Sequence, residues 1–164
     1  MSADVRPTGP NALKDSHARV LDRCVAARAL RAHERVLYVE DDEVSVRLVA
    51  TVLRRRGDCE LFSARTGRAG LRLAGGTRPD LVLLDLDLPD MPGETVLRGL
   101  REGPPASGVL VVVVSADARA ATADRVLAAG ASHVLTKPLD LAELNCWLDV
   151  AAAAAAVSGR KEVS

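Results

Sequence analysis

The chain has 164 residues, which suits one domain with some extra length. Apolar residues make up 48% and aromatics only 2%, so any core must be aliphatic. Twenty-two Lys and Arg balance 22 Asp and Glu, and a net charge of zero gives no electrostatic case for nucleic acid or an anionic membrane surface.

Residues 1–34 read as an N-terminal extension. Met1 to Pro10 is polar, contains Pro and Gly, and reads as disordered; it lacks the apolar centre of a signal peptide. Residues 11–34 are rich in Ala and Arg and could be helical. Leu13, Val20, Cys24 and Ala27 then fall on one face, with Leu21 beside it. Such a helix would serve a partner or a homodimer; the other reading is a charged linker that is helical part of the time.

From residue 35 to about 150 the pattern alternates. Val36-Leu37-Tyr38-Val39 is a short apolar strand, followed by a helix near 43–56 that stops at Gly57. The basic triplet Arg54-Arg55-Arg56 reads as the solvated end of that helix, where cations suit the dipole. A weaker strand covers 59–63, and a helix near 66–74 should end at Gly75-Gly76. The run Leu81-Val82-Leu83-Leu84 predicts a strand buried on both faces, ending in the turn Pro89-Asp90-Met91-Pro92-Gly93. A helix near 93–102 and the loop Gly103-Pro104-Pro105 lead to 109–114, the most apolar stretch of the chain. A helix near 118–129 ends at Gly130, and a strand follows at 132–135. The last helix runs from about Leu141 into the alanines at 151–156, leaving 158–164 to fray.

Five strands alternating with five helices imply a parallel sheet covered on both faces. Right-handed crossovers leave few topologies. The order 2-1-3-4-5 fits best, giving an α/β, flavodoxin-like (βα)5 doubly wound sheet. Cys24, Cys59 and Cys146 are odd in number, widely spaced and without a CxxC pair. They read as reduced thiols of a cytoplasmic protein rather than a disulfide framework or zinc site. No apolar run approaches the ~18 residues of a membrane span.

The chemistry collects at strand ends. Glu40, Asp41 and Asp42 follow the first strand; Asp85 and Asp87 follow the third. In the expected order those strands are neighbours, so the carboxylates crowd at one rim of the sheet, where open α/β folds place their sites. Like charges that close raise one another's pKa. A hard divalent cation relieves this, and Mg²⁺ accepts one or two carboxylates with water and phosphate oxygens. The competing reading is that these acids cap the following helices, which suits Asp42 better than Asp41 or Asp85. Ser115 ends the fourth strand and Lys137 lies just beyond the fifth, so both should reach the same rim. A hydroxyl and an ammonium there can hold phosphoryl oxygens. Lys137 precedes Pro138, where a cis bond would aim the lysine inward.

The stretches Val36 to Asp42, Leu83 to Gly93 (LLDLDLPDMPG), Val113 to Asp117 (VVSAD) and Leu135 to Leu139 (LTKPL) together resemble the response-regulator receiver domain of two-component phosphorelays, over roughly residues 35–150. The resemblance implies that Asp85 is the phosphoryl acceptor, taking the group from a phosphohistidine on a sensor histidine kinase or histidine phosphotransfer protein. It implies Mg²⁺ held by the side chains of Asp41 and Asp85, by the backbone carbonyl of Asp87, and through water by Glu40. Lys137 would contact Asp85 and then the phosphoryl oxygens, and Ser115 would bond one of them. Positions 87 and 117 tune dephosphorylation in the family, and both are acidic here. Output would pass to an unidentified protein partner, as expected of a single-domain regulator; a receiver cut from a hybrid kinase is the other arrangement.

The chain departs from the family pattern twice. Ser115 stands where Thr is commoner, which keeps the hydroxyl. Val134 stands where the family usually has Tyr or Phe, so the ring that normally swings inward is missing. His133 is adjacent, but strand alternation points it to the other face. Two other functions compete. Asp85-Leu86-Asp87 has the DxD form of haloacid-dehalogenase-type phosphatases, although here the acidic cluster precedes DxD and there is no cap segment. A receiver-like binding module that is never phosphorylated is the third reading; the intact Glu40, Asp41, Asp85, Ser115 and Lys137 set speaks against it.

Overall fold

The computed structural model describes residues 34–103 and 108–157. The expectations for the N-terminal extension, Cys24, Pro104-Pro105 and the tail at 158–164 lie outside them. Ten elements alternate: β1 (Glu34–Val39), α1 (Glu43–Arg56), β2 (Cys59–Ala64), α2 (Gly67–Thr77), β3 (Leu81–Asp85), α3 (Gly93–Glu102), β4 (Leu110–Ser115), α4 (Ala120–Ala128), β5 (His133–Thr136) and α5 (Leu141–Val157). All strand pairs are parallel and the sheet order is β2-β1-β3-β4-β5. This is the expected flavodoxin-like topology.

The central strands bury both faces, and alternation divides the core in two. Leu37, Val39, Val82, Leu84, Val111 and Val113 face one side and pack against α2, α3 and α4 through Ala74, Val96, Leu97, Leu100 and Val126. Val36, Tyr38, Leu81, Leu83, Val112 and Val114 face the other and pack against α1 and α5 through Val49, Leu53, Leu144 and Leu148. Each such fully buried Val or Leu contributes about 1.5–3 kcal/mol relative to exposure.

Local chemistry explains most of the element ends. Asp42 caps α1, accepting from the amides of Val44 and Ser45, and Gly57 ends it in the left-handed region at φ 75°. Gly130 does similar work after α4 at φ 107°.

Three expectations need correction. β1 begins at Glu34, because the amide of Glu34 pairs with Asp58 O at 2.8 Å and extends the ladder beyond the apolar run. α2 does not stop at Gly75-Gly76 but continues to Thr77. Thr77 Oγ1 donates to Leu73 O at 2.7 Å, and Arg35 Nη1 donates to Thr77 O at 3.0 Å, so the last turn is held from outside. Arg78 ends it in the left-handed region at φ 49°, ahead of Pro79, which bars a right-handed helix there. Finally, Arg56 is not solvated. Its side chain is 7% exposed and reaches α5, donating to Asn145 Oδ1 at 3.1 Å and Asp149 Oδ1 at 2.7 Å. Arg54 and Arg55 do face solvent.

Candidate functional site at the carboxyl rim of the sheet

The register sets the site. β1 and β3 lie side by side, pairing Val39 with Leu84, so the residues that follow emerge together at one rim. Glu40 and Asp85 are buried at 1% and 3% exposure, while Asp41 is exposed. Carboxylate oxygens of Glu40, Asp41 and Asp85 all lie within 4.8 Å of one another. β4 and β5 bring two further groups. Ser115 ends β4 and is buried, its hydroxyl oxygen accepting from the amide of Asp117 at 3.0 Å. The amide of Lys137 donates to Ser115 O at 2.8 Å, tying the two strand ends together, and the Lys137–Pro138 bond is cis.

Lys137 Nζ donates to Glu40 Oε2 at 2.7 Å and lies 3.6 Å from Asp85 Oδ1. The ammonium therefore sits nearer to Glu40 than to Asp85. Glu40 is satisfied on both oxygens: Tyr38 O–H donates to Oε2 at 3.1 Å and the Asp42 amide to Oε1 at 3.1 Å. Asp85 Oδ1 accepts from the Asp87 amide at 3.3 Å. Asp87 itself is exposed and forms an antiparallel bridge with Pro92 that closes the turn after β3. Gly93 packs so tightly on Asp85 O and Leu86 Cα that a Cβ would clash with both. Its amide donates to Leu86 O at 2.9 Å.

Electrostatics follow from that crowding. Burial pushes the Asp85 carboxyl up, the neighbouring Glu40 charge adds to it, and the result is about 6. Burial also pushes Glu40 up, but the bond from Lys137 and the Asp42 amide outweigh it and hold Glu40 below the usual carboxylate range. Burial pushes Lys137 down, but Glu40 and Asp85 outweigh that and hold it above its ordinary value. The rim is thus a charged assembly short of positive charge.

Hard oxygen donors crowded this way fit a divalent cation of the Mg²⁺ type. The observation that carries the fit is the donor set itself, carboxylate oxygens of three acids within 4.8 Å of one another, two of the acids buried. Glu40, Asp41 and Asp85 would hold the ion, with the Asp87 carbonyl next to them in the chain.

Two features were not visible in the residue pattern. Tyr38 O–H reaches Glu40; the available signal was a lone Tyr in an aliphatic strand, two residues ahead of an acid and so on the same face. Asp117 is locked in place, accepting from Arg119 Nη2 at 2.6 Å and from Thr122 Oγ1 at 2.7 Å. Val134 packs half-buried against the α2–α3–α4 side of the core. His133 points to the opposite side, stacked on Trp147 with ring centroids 4.8 Å apart and paired with Glu143 Oε1 at 3.0 Å.

The chain is similar to known proteins. A model of the response regulator receiver domain matches residues 36–148. The Escherichia coli KDP operon transcriptional regulatory protein KdpE is 40% identical over 116 residues, covering 71% of this chain and 50% of that protein. The Caulobacter vibrioides response regulator PleD is 39% identical over 109 residues, covering 65% of this chain and 23% of that protein. The chain thus spans half or less of the length of these curated relatives. Among solved structures, a CheY-like response regulator receiver domain protein from Methanospirillum hungatei superposes with a TM-score of 0.69 at 26% identity, covering 77% of this chain and 98% of that one. The receiver domain of a Pseudomonas aeruginosa sensor histidine kinase, with a magnesium ion coordinated in its active-site cleft, gives 0.67 at 28% identity, covering 74% and 98%. Among the described residues no helix is long and apolar enough to cross a membrane.

Proposed function

The chain belongs to the response regulator receiver domain family, the phosphoacceptor module of two-component systems, and on that premise we propose that Asp85 is its phosphoryl acceptor in a Mg²⁺-dependent reaction. The donor is a phosphohistidine on a sensor histidine kinase or histidine phosphotransfer protein. The observation that carries the reading is the buried Asp85 carboxylate, 3.6 Å from Lys137 and within reach of Glu40 and Asp41.

An Asp85 carboxylate oxygen attacks phosphorus, and the P–N bond to the donor imidazole breaks with its electron pair leaving on the ring nitrogen. The cation, when bound, neutralises charge on the transferring oxygens. The chain's own groups do the rest. Asp85 is deprotonated above its value of about 6, so the nucleophile is ready near neutral pH. Lys137 faces both Asp85 and Glu40 and can turn from one to the acquired phosphoryl oxygens without leaving the rim. Tyr38 and the Asp42 amide hold Glu40 in place, as the water-mediated metal partner. Ser115 places a hydroxyl at the end of β4, beside β3, for a phosphoryl oxygen. The phosphorylated chain then signals by binding a partner protein.

The test is incubation with Mg²⁺ and acetyl phosphate, read by intact mass. Wild type is expected to gain one phosphoryl group and Asp85→Asn none. No gain on wild type would favour a receiver that only binds partners. A gain that survives in Asp85→Asn would move the acceptor elsewhere.

A further inference from the structure

The segment from Arg65 into the first turn of α2 contributes no carboxylate to the rim, yet it touches both loops that do. From the loop after β3, the Asp90 carboxylate reaches back across the rim. Asp90 Oδ1 accepts from the Gly67 amide at 2.7 Å and Oδ2 from the Arg68 amide at 3.0 Å. These are the first amides of α2, which otherwise takes its local cap from Thr66 Oγ1, bonded to the Ala69 amide at 3.2 Å. A carboxylate suits that place, since helix N-terminal amides favour negative charge. On the other side, Arg65 Nη2 donates to Asp41 O at 3.4 Å and Nη1 pairs with Glu43 at 3.2 Å. The contact is tight: a Cβ on Gly67 would lie 2.6 Å from Met91 Cγ and from Val96 Cγ2.

The turn from Asp85 to Gly93 is therefore held at two places. Its base is closed by the Asp87–Pro92 bridge and the Gly93–Leu86 hydrogen bond. Its tip is pinned to α2 by Asp90. The tip attachment, with Met91 packed beside it on Gly67, sets how the turn leans relative to β1 and its acids. We infer that Asp90 is a positioning residue for the metal site: by holding the tip of this turn on the start of α2, it aims the Asp87 carbonyl at the same point as Asp41 and Asp85. The inference rests on the metal reading proposed above and adds a residue that touches neither ion nor phosphoryl group.

Thr66 provides the control, because its hydroxyl caps the same helix through the Ala69 amide rather than through the turn. Mg²⁺ is titrated calorimetrically into wild type, Asp90→Ala, Asp90→Asn and Thr66→Ala, each well below its Tm. Both alanine variants lose a helix cap and should melt lower. Asp90→Ala should also bind Mg²⁺ more weakly, by up to about tenfold, the lower end of what losing a group bonded directly to a ligand costs. Asp90→Asn keeps one acceptor oxygen and should show a smaller loss, which carries the test if the alanine variant does not fold. Thr66→Ala should bind as wild type does. Wild-type affinity in both Asp90 variants, or an equal loss in Thr66→Ala, would overturn the inference. A wild-type chain that binds no Mg²⁺ would instead overturn the metal reading, and the inference with it.

Discussion

β1 carries a buried acid at each end, and the two behave in opposite ways. Glu40, at the carboxyl end, is 1% exposed and meets an ammonium, a phenol and an amide. It is held charged. Glu34, at the amino end, is 4% exposed; its Oε2 accepts from Cys59 Sγ at 3.5 Å and its Oε1 is buried with no hydrogen-bond partner. Burial pushes Glu34 up to about 7, and Arg56, whose Nη atoms are given to Asn145 and Asp149, only partly offsets it. Both side chains are almost wholly shielded from solvent, Glu34 the more deeply packed. What also differs is partnering, and partnering decides which end keeps a charge ready for chemistry.

The strongest way to break the contrast is to remove the partner. Lys137→Met leaves Glu40 and Asp85 buried without an ammonium, and should cost about 3–5 kcal/mol at pH 7.5 in urea unfolding. The loss should shrink at pH 5, where Glu40 can then take a proton as Glu34 does. An unchanged midpoint would show that Lys137 is not the counterion of this rim.

Glu34→Gln tests the other end. The folded value of about 7 lies above the ordinary 4.5, so the folded chain binds more protons between them and stability falls as pH rises through that window. The contribution is whole below about pH 4.5 and lost above about pH 7. Asp85 titrates in the same direction up to about 6, so the comparison belongs in an Asp85→Asn background. There, Glu34→Gln should remove the decline, a gain of about 3 kcal/mol at pH 8. The same decline with Gln at 34 would mean that another group carries it.

The smallest effect is expected from Tyr38→Phe. It removes one donor from Glu40 while Lys137 and the Asp42 amide remain, and should cost about 1 kcal/mol. A loss as large as that of Lys137→Met would place the phenol, not the ammonium, at the centre of the site.

The residue pattern revealed what is local. Apolar runs marked the five strands, and Gly57, Gly130 and Asp42 marked helix ends, because turn and cap chemistry acts within a few residues. Strand ends in a parallel sheet share a rim, so Glu40, Asp41, Asp85, Ser115 and Lys137 could be grouped before any coordinates. What was missed depends on distant partners. Thr77 is supported by Arg35, Arg56 by Asp149, and the start of α2 by Asp90, contacts spanning 42, 93 and 22 residues along the chain. Periodicity carries no information about such pairs. Equally, no local pattern showed that Lys137 would sit closer to Glu40 than to Asp85.

The central claim is that the carboxyl-end acids form a metal-dependent site and the amino-end acid does not. Thermal unfolding with and without saturating Mg²⁺ tests it most directly, since an ion that binds only the folded state raises Tm. Wild type and Glu34→Gln should rise together, and Asp41→Ala should not respond. An equal rise in Asp41→Ala would put the ion elsewhere and contradict the account.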